Sequence, residues 1–148
     1  MNLPEYEDIR IRNGRDGRPE VLDTLRRRFV ALTPEEWVRQ HFVNFLVRHK
    51  GYPAALMANE VELHAGEKRL RCDTVLFDSG RRPRMIIEYK AESVPITDRV
   101  LTQVATYNML LHVDYMMVSN GNTHVCLAYD HGNGKWTYLQ DIPEYCRL

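Results

Sequence analysis

The sequence predicts a single α/β domain in which a mixed β-sheet is flanked by helices and preceded by an N-terminal β-hairpin. Two stretches, residues 33–50 and 98–112, show the 3.6-residue spacing of apolar side chains that is typical of amphipathic helices. Three strand-like runs lie between these stretches, and further short runs follow the second one. A length of 148 residues suits one domain. We divide it into an extension (1–32), a core (33–129) and a C-terminal strand and tail (130–148).

The N-terminal extension has the residue pattern of a hairpin. Residues 9–12 alternate between apolar and charged side chains, Asn-Gly and Asp-Gly pairs between residues 13 and 17 signal turns, and residues 20–22 can pair back. Residues 23–32 have no clear period, so we interpret them as a mixed connection.

The first helix has clear start and stop signals. Thr33 suits the N-cap, Pro34 suits the first helical position, and Glu36 completes a capping box. Gly51 ends the helix. The apolar residues with helical spacing include Val38, Phe42, Phe45 and Leu46.

The remaining elements alternate strands with one more helix. We predict strands over residues 59–63, 71–77 and 85–90, a helix over 98–112, and strands over 115–119, 123–129 and 136–139.

Charge and composition narrow the classes of protein. The net charge is zero, with 20 basic and 20 acidic residues, which counts against tight, indiscriminate binding to nucleic acid. Arginines nevertheless cluster in residues 10–18, 26–28 and 81–84. They form either a local basic surface or merely solvated hairpin tips, and the sequence leaves both interpretations open.

The sequence shows no signal for membrane insertion or secretion. No apolar run approaches the roughly 20 residues of a membrane span, and the first residues lack a secretory pattern. The three cysteines have no metal-site spacing and are typical of reduced thiols in a cytoplasmic protein. They are Cys72, Cys126 and Cys146.

Two neighbouring predicted strands carry two carboxylates and an ammonium group. Asp73 lies in the first strand, and Glu88 and Lys90 lie on one face of the next strand because side chains alternate. Converging carboxylates can hold Mg²⁺ or Mn²⁺, and an adjacent ammonium can orient a water or stabilise charge on a phosphate. The plain alternative is that Asp73 pairs with an arginine while Glu88 and Lys90 are surface residues.

This pattern resembles the nuclease core written PD-(D/E)xK. It is most similar to the N-terminal nuclease domain of type I restriction enzyme R subunits, in a short stand-alone form covering about residues 23–129. The usual proline before the aspartate is absent, since Cys72 precedes Asp73. The motifs that carry the resemblance are TPEEWVRQ (33–40), KGYP (50–53), RCD (71–73), IEYKA (87–91), QVATYN (103–108) and VSNG (118–121).

The resemblance implies a restriction-endonuclease-like αβββαβ core and metal-dependent hydrolysis of phosphodiester bonds, in DNA, with Mg²⁺ or Mn²⁺ as cofactor. It implies that the backbone carbonyl of Tyr89 is a further metal ligand. It also implies that Gln103 and Tyr107, four apart on the second helix, border the active site. Gln103 would orient Lys90 or the water, and Tyr107 would contact the substrate.

The resemblance also supplies an acidic residue from the first helix, and Glu35 and Glu36 are both eligible. At about 100° per residue, Glu35 lies in line with the inward stripe, whereas Glu36 lies a quarter turn away and can fold back onto the cap. We therefore predict that Glu35 reaches the metal site and that Glu36 serves in capping.

Several alternatives remain open at the level of sequence. The protein is either an active nuclease or a catalytically silent module that binds nucleic acid or assembles with partners. RNA is an alternative substrate to DNA. The sequence does not decide between a monomer and a homodimer, nor does it identify a partner from a restriction system.

Overall fold

The computed structural model describes residues 1–148, except for the side chain of Asn108, the last residue of the motif that begins at Gln103. The helices and strands are β1 (Ile11–Asn13), β2 (Pro19–Asp23), β3 (Arg28–Ala31), α1 (Pro34–His49), β4 (Met57–Ala65), β5 (Lys68–Phe77), β6 (Pro83–Tyr89), α2 (Asp98–Leu111), β7 (Tyr115–Ser119), β8 (His124–Asp130) and β9 (Lys135–Leu139). Short 3₁₀ turns cover Ala54–Leu56 and Tyr145–Arg147.

The N-terminal extension is a three-stranded antiparallel sheet with the order β1-β2-β3. The predicted hairpin is present as β1 and β2, but the interpretation of residues 23–32 as a mixed connection is wrong. Residues 28–31 form β3, which pairs with β2 from Glu20↔Ala31 to Asp23↔Arg28. The turn between β2 and β3 contains no glycine and has Arg27 at a positive φ of 54°, so the usual sequence signal for a turn is missing.

The main sheet has six strands in the order β4-β5-β6-β7-β8-β9. Only β6 and β7 are parallel, and α2 connects them, as a parallel crossover requires. The other neighbours are antiparallel. The order α1-β4-β5-β6-α2-β7 is the predicted αβββαβ core, and β8 and β9 extend it.

The two helices pack on opposite faces of this sheet. Phe42 of α1 belongs to a buried cluster that includes Ile87 and Tyr89 of β6. Val104 of α2 belongs to a second cluster that includes Ile86. Consecutive residues of β6 thus alternate between two cores, so the strands beside the candidate site are covered on both faces. Neither helix of the described chain is long and apolar enough to cross a membrane.

Candidate active site

The candidate site lies where the ladder between β5 and β6 opens. Regular pairing runs as far as Thr74↔Ile87. Beyond it, the Tyr89 backbone N–H donates to Oδ2 of Asp73 at 2.9 Å instead of to a strand carbonyl. The carboxyl group of Glu88 lies close enough to Asp73 for the Asp73 charge to raise the pKa of Glu88. The two carboxyl groups therefore converge between adjacent strands.

Glu88 is a buried acid with an unsatisfied oxygen. Glu88 is 9% exposed, and its Oε1 has no hydrogen-bond partner. Burial raises the pKa of Glu88 to about 8, the negative charge of Asp73 adds to the rise, and the Lys90 ammonium partly offsets it. Ionisation of a buried carboxyl group beside another one is costly, and a cation between the two groups would offset that cost.

Asp73 also has a resident cation. The guanidinium of Arg39, which is 3% exposed, lies 3.2 Å from Oδ1 of Asp73 and 2.6 Å from Oε1 of Glu60. It also lies 3.2 Å from Oε2 of Glu36. The plain alternative is thus correct in giving Asp73 an arginine partner, but Glu88 is not the surface residue that this alternative required.

The prediction that Glu35 lies in the inward stripe of α1 is wrong, and so is the prediction that the Glu36 carboxylate folds back onto the cap. A role for Glu35 at the metal site stays a prediction. Glu35 is exposed and Glu36 is buried. The carboxylate of Glu36 accepts from Arg26 at 3.2 Å and from Gln40 at 2.9 Å. The Thr33 hydroxyl does cap the helix by accepting from the Glu36 N–H at 3.1 Å, but the Thr33 N–H donates to a carbonyl, that of Ala31.

The prediction for Glu35 and Glu36 was wrong because helical phase alone does not determine burial. Phase gives the direction of a side chain around the helix axis, whereas burial also depends on what stands opposite that turn. Glu35 is in phase with Phe42 but lies in the first turn and stays exposed. Glu36 is held by Arg26, which the N-terminal sheet brings to it.

Substitution of the two glutamates should therefore affect stability unequally. Glu36→Gln removes the charge that pairs with two guanidinium groups, and we expect it to lower the free energy of unfolding by about 1–3 kcal/mol. Glu35→Gln should change it by less than about 0.5 kcal/mol. Urea unfolding of both variants measures this, and equal losses would show that Glu36 is not held as described.

The other predicted site residues are divided by the structure. Burial raises the pKa of the Tyr107 phenol, and the nearby carboxyl groups of Glu88 and Asp73 add to the rise. Gln103 is exposed. Lys90 is half-buried directly after β6, and its N–H donates to the Ser119 carbonyl at 2.9 Å.

Tyr89 has a structural role through its side chain. Its hydroxyl donates to Thr74 at 3.1 Å, Thr74 donates to Asn59 at 2.6 Å, and Asn59 donates to Asp23 at 2.9 Å. These contacts connect the strand of Glu88 to the N-terminal sheet. The role of the Tyr89 carbonyl as a metal ligand stays a prediction.

Two site residues were missed at the level of sequence. Arg39 is one, and Glu60 is the other, which has a positive φ of 55° and sits in β4 between the pairs Asn59↔Thr74 and Val61↔Cys72. The TPEEWVRQ motif contains Arg39, so the motif was a signal for it, whereas Glu60 had none.

The donor set suits a hard divalent cation in part. Asp73 and Glu88 offer carboxylate oxygens, and Oε1 of Glu88 is unsatisfied. Among the side chains that the structure describes, however, no three His, Cys, Asp or Glu groups are placed to hold a metal ion together. Backbone carbonyls and waters would have to complete the coordination.

The burial of Glu88 leads to a prediction for pH dependence. Below about pH 4.5, the usual value, Glu88 is protonated in both the folded and the unfolded state. Between pH 4.5 and about pH 8, Glu88 ionises in the unfolded state but stays largely protonated in the folded state. The free energy of unfolding therefore falls as pH rises through this range. With a chelator present, Glu88→Gln should be more stable than the parent at pH 8.5, at about 1.4 kcal/mol per unit of pKa shift. The difference should vanish near pH 4.5. Urea unfolding across this range tests it, and a difference independent of pH would contradict it.

A comparison of sequences identifies the family. Residues 34–143 match the family described as Type I restriction enzyme R protein N terminus (HSDR_N), which is most of the chain. No curated protein is significantly similar to the chain in sequence.

Solved structures similar to this chain include the following two. A fragment assigned to an HsdR subunit of a type I restriction enzyme from Vibrio vulnificus YJ016 superposes with a TM-score of 0.53 at 19% identity, over 78% of this chain and 25% of that one. The cryoEM structure of a DrdV–DNA complex has a TM-score of 0.47 at 20% identity, over 72% of this chain and 10% of that one. The chain thus spans a quarter or less of the length of either.

The Vibrio fragment shows that the fold is shared, so the predicted restriction-endonuclease-like fold is confirmed. The family match covers both helices and every strand of the main sheet. The chain belongs to the family of type I restriction enzyme R protein N-terminal domains.

Proposed function

We propose that this protein is a metal-dependent nuclease that hydrolyses phosphodiester bonds in DNA. The observation that carries the proposal is the buried carboxyl group of Glu88, with one oxygen unsatisfied, beside Asp73 and close to Lys90. Restriction enzymes are nucleases, so membership of this family supports DNA as the substrate.

Asp73 and Glu88 would hold Mg²⁺ or Mn²⁺, which supplies charge stabilisation at the phosphate and a more acidic water. Lys90 would orient the attacking water and balance the charge that grows on the phosphoryl oxygens. The oxygen of that water bonds to phosphorus and its proton passes to solvent, one P–O ester bond breaks, and the departing oxygen takes up a proton from solvent.

Arg39 and the Tyr89 N–H give Asp73 its orientation. They occupy Oδ1 and Oδ2, at 3.2 Å and 2.9 Å, and leave the carboxylate in contact with Glu88. Arg39 therefore acts as a positioning residue rather than a group that touches the substrate. Tyr107, on the same side as Glu88, would contact the nucleic-acid backbone.

A second candidate function is a silent module that binds nucleic acid without cutting it. It is favoured by the arginine on Asp73 and by the lack of a third side-chain ligand among the described residues. In that case the Arg39 guanidinium would take the place of a metal ion.

A cleavage assay separates the two candidates. Supercoiled plasmid is incubated with the purified protein and Mg²⁺ or Mn²⁺, with a chelator as control, and a structured RNA is tested in parallel. We expect metal-dependent nicking that Asp73→Asn abolishes, since asparagine retains an acceptor for the Tyr89 N–H. Binding of plasmid without nicking under any metal would favour the silent module, and cutting of RNA alone would correct the substrate.

A further inference from the structure

The positive charge of the chain is concentrated in one structural unit. Residues 10–32, which contain the β1–β3 sheet, have seven arginines and three acidic residues, a net charge of +4. Residues 33–148 have 13 basic and 14 acidic residues. This arginine sheet, as we call residues 10–32, precedes the segment matched by the family.

Most of these arginines are available to a ligand. Six are exposed: Arg10, Arg12, Arg15, Arg18, Arg27 and Arg28. In the part of the chain that the structure describes, ion pairs occupy only two of the six, Arg12 with Glu20 and Arg18 with Asp16.

The turn between β2 and β3 is fixed against the candidate active site. Asp23, fully buried at the end of β2, accepts from the Arg26 backbone N–H and from Asn59, each at 2.9 Å, and pairs with the Arg26 guanidinium. Arg26 also pairs with Glu36, which in turn contacts Arg39. Arg27 lies in this turn and Arg28 is the first residue of β3, so both follow directly on Arg26, which belongs to the same ion-pair network as Asp73.

The backbone at Arg27 suits a test by glycine substitution. Its φ of 54° lies in the left-handed region, where glycine is favoured and a long side chain is strained. A glycine at this position would remove the charge of Arg27 without adding backbone strain.

We propose that Arg27 and Arg28 bind the phosphates of a nucleic-acid backbone beside the catalytic carboxylates. This inference rests on the proposed function. It favours the basic surface over merely solvated hairpin tips, and it reconciles a net charge of zero with a polyanionic substrate, because the charge is segregated.

Arg27→Gly is the discriminating variant because it removes one charge and relieves backbone strain. Arg81→Gly is its matched control. Arg81 is also exposed and also has a positive φ, of 61°, but it lies in the turn beyond Phe77, roughly 15 Å or more from Asp73 by strand geometry. Binding of a labelled 30-base-pair duplex is measured by fluorescence anisotropy against salt concentration, with a chelator present to prevent cleavage.

We expect Arg27→Gly to weaken binding about five- to tenfold near 0.1 M salt and to reduce the salt slope by about one. Its thermal midpoint should stay at or above that of the parent. Arg81→Gly should bind like the parent. The proposal is overturned if the parent does not bind the duplex, if Arg27→Gly binds like the parent, or if both variants weaken equally.

The proposed nuclease function is tested separately from this surface. Binding that depends on Arg27, without metal-dependent cutting, would support the phosphate-binding surface and contradict the nuclease function. Metal-dependent cutting, with binding unaffected by Arg27→Gly, would support the nuclease function and contradict the surface.

Discussion

Lys90→Ala is expected to lower the single-turnover rate of DNA cleavage by about 10²–10⁴-fold. Lys90 follows Glu88 by two residues, is half-buried, and lies close enough for its ammonium to lower the pKa of Glu88. The alanine variant loses the only role that we assign to this residue, which is to orient the water and balance charge on the phosphate. Lys90 is not a metal ligand, so Mn²⁺ affinity should be largely retained.

Lys68→Ala is the control, because Lys68 is an exposed lysine at the start of β5. It should cleave at the parental rate. If Lys90→Ala cleaves as fast as Lys68→Ala does, then either the activity belongs to a contaminant or the reaction proceeds without this ammonium.

The second large effect is on stability. Asp23→Ala should lower the free energy of unfolding by about 3–5 kcal/mol, the range for breaking a buried ion pair. Asp23 is 0% exposed and accepts from the Leu25 and Arg26 backbone N–H groups and from Asn59, each at 2.9 Å. Without it, these buried donors and the Arg26 guanidinium lose their shared acceptor.

The loss of stability in Asp23→Ala should depend on pH. Burial alone would raise the pKa of Asp23, but hydrogen bonds from Arg26 and Asn59 outweigh it and lower the pKa. The stabilisation is therefore present above the usual pKa and lost as pH falls. The gap between parent and Asp23→Ala in urea unfolding should narrow in acid. Asp16→Ala, an exposed site in the same sheet, should cost less than about 0.5 kcal/mol, and an equal cost at both sites would contradict the account.

Features set by local sequence were predictable. Thr33 caps α1 because a hydroxyl at that position satisfies a free N–H of the first turn, and α1 does begin at Pro34. The strand predicted over 115–119 has the bounds of β7, since apolar residues bounded by polar turn residues are a strong signal. The adjacency of the strands of Asp73 and Glu88 followed from the short connection between them.

Features set by distant contacts were not predictable. The guanidinium of Arg39 finds partners 21 and 34 residues away, in β4 and β5. Glu36 is buried because Arg26 reaches it from a separate sheet, which helical phase cannot reveal. β3 was missed because Arg27 adopts a glycine-like φ in the turn before it. Each of these failures lies at or beside the candidate site, where contacts between distant segments override local preference.

The central claim is that Asp73 and Glu88 together hold a divalent cation, and calorimetric titration of Mn²⁺ into the purified protein tests it most directly. We expect saturable binding by the parent and by Lys90→Ala. We expect both Asp73→Asn and Glu88→Gln, confirmed as folded by circular dichroism, to lose most of the affinity. No binding by the parent, or undiminished binding by these two variants, would contradict the claim and leave Arg39 as the cation of this site.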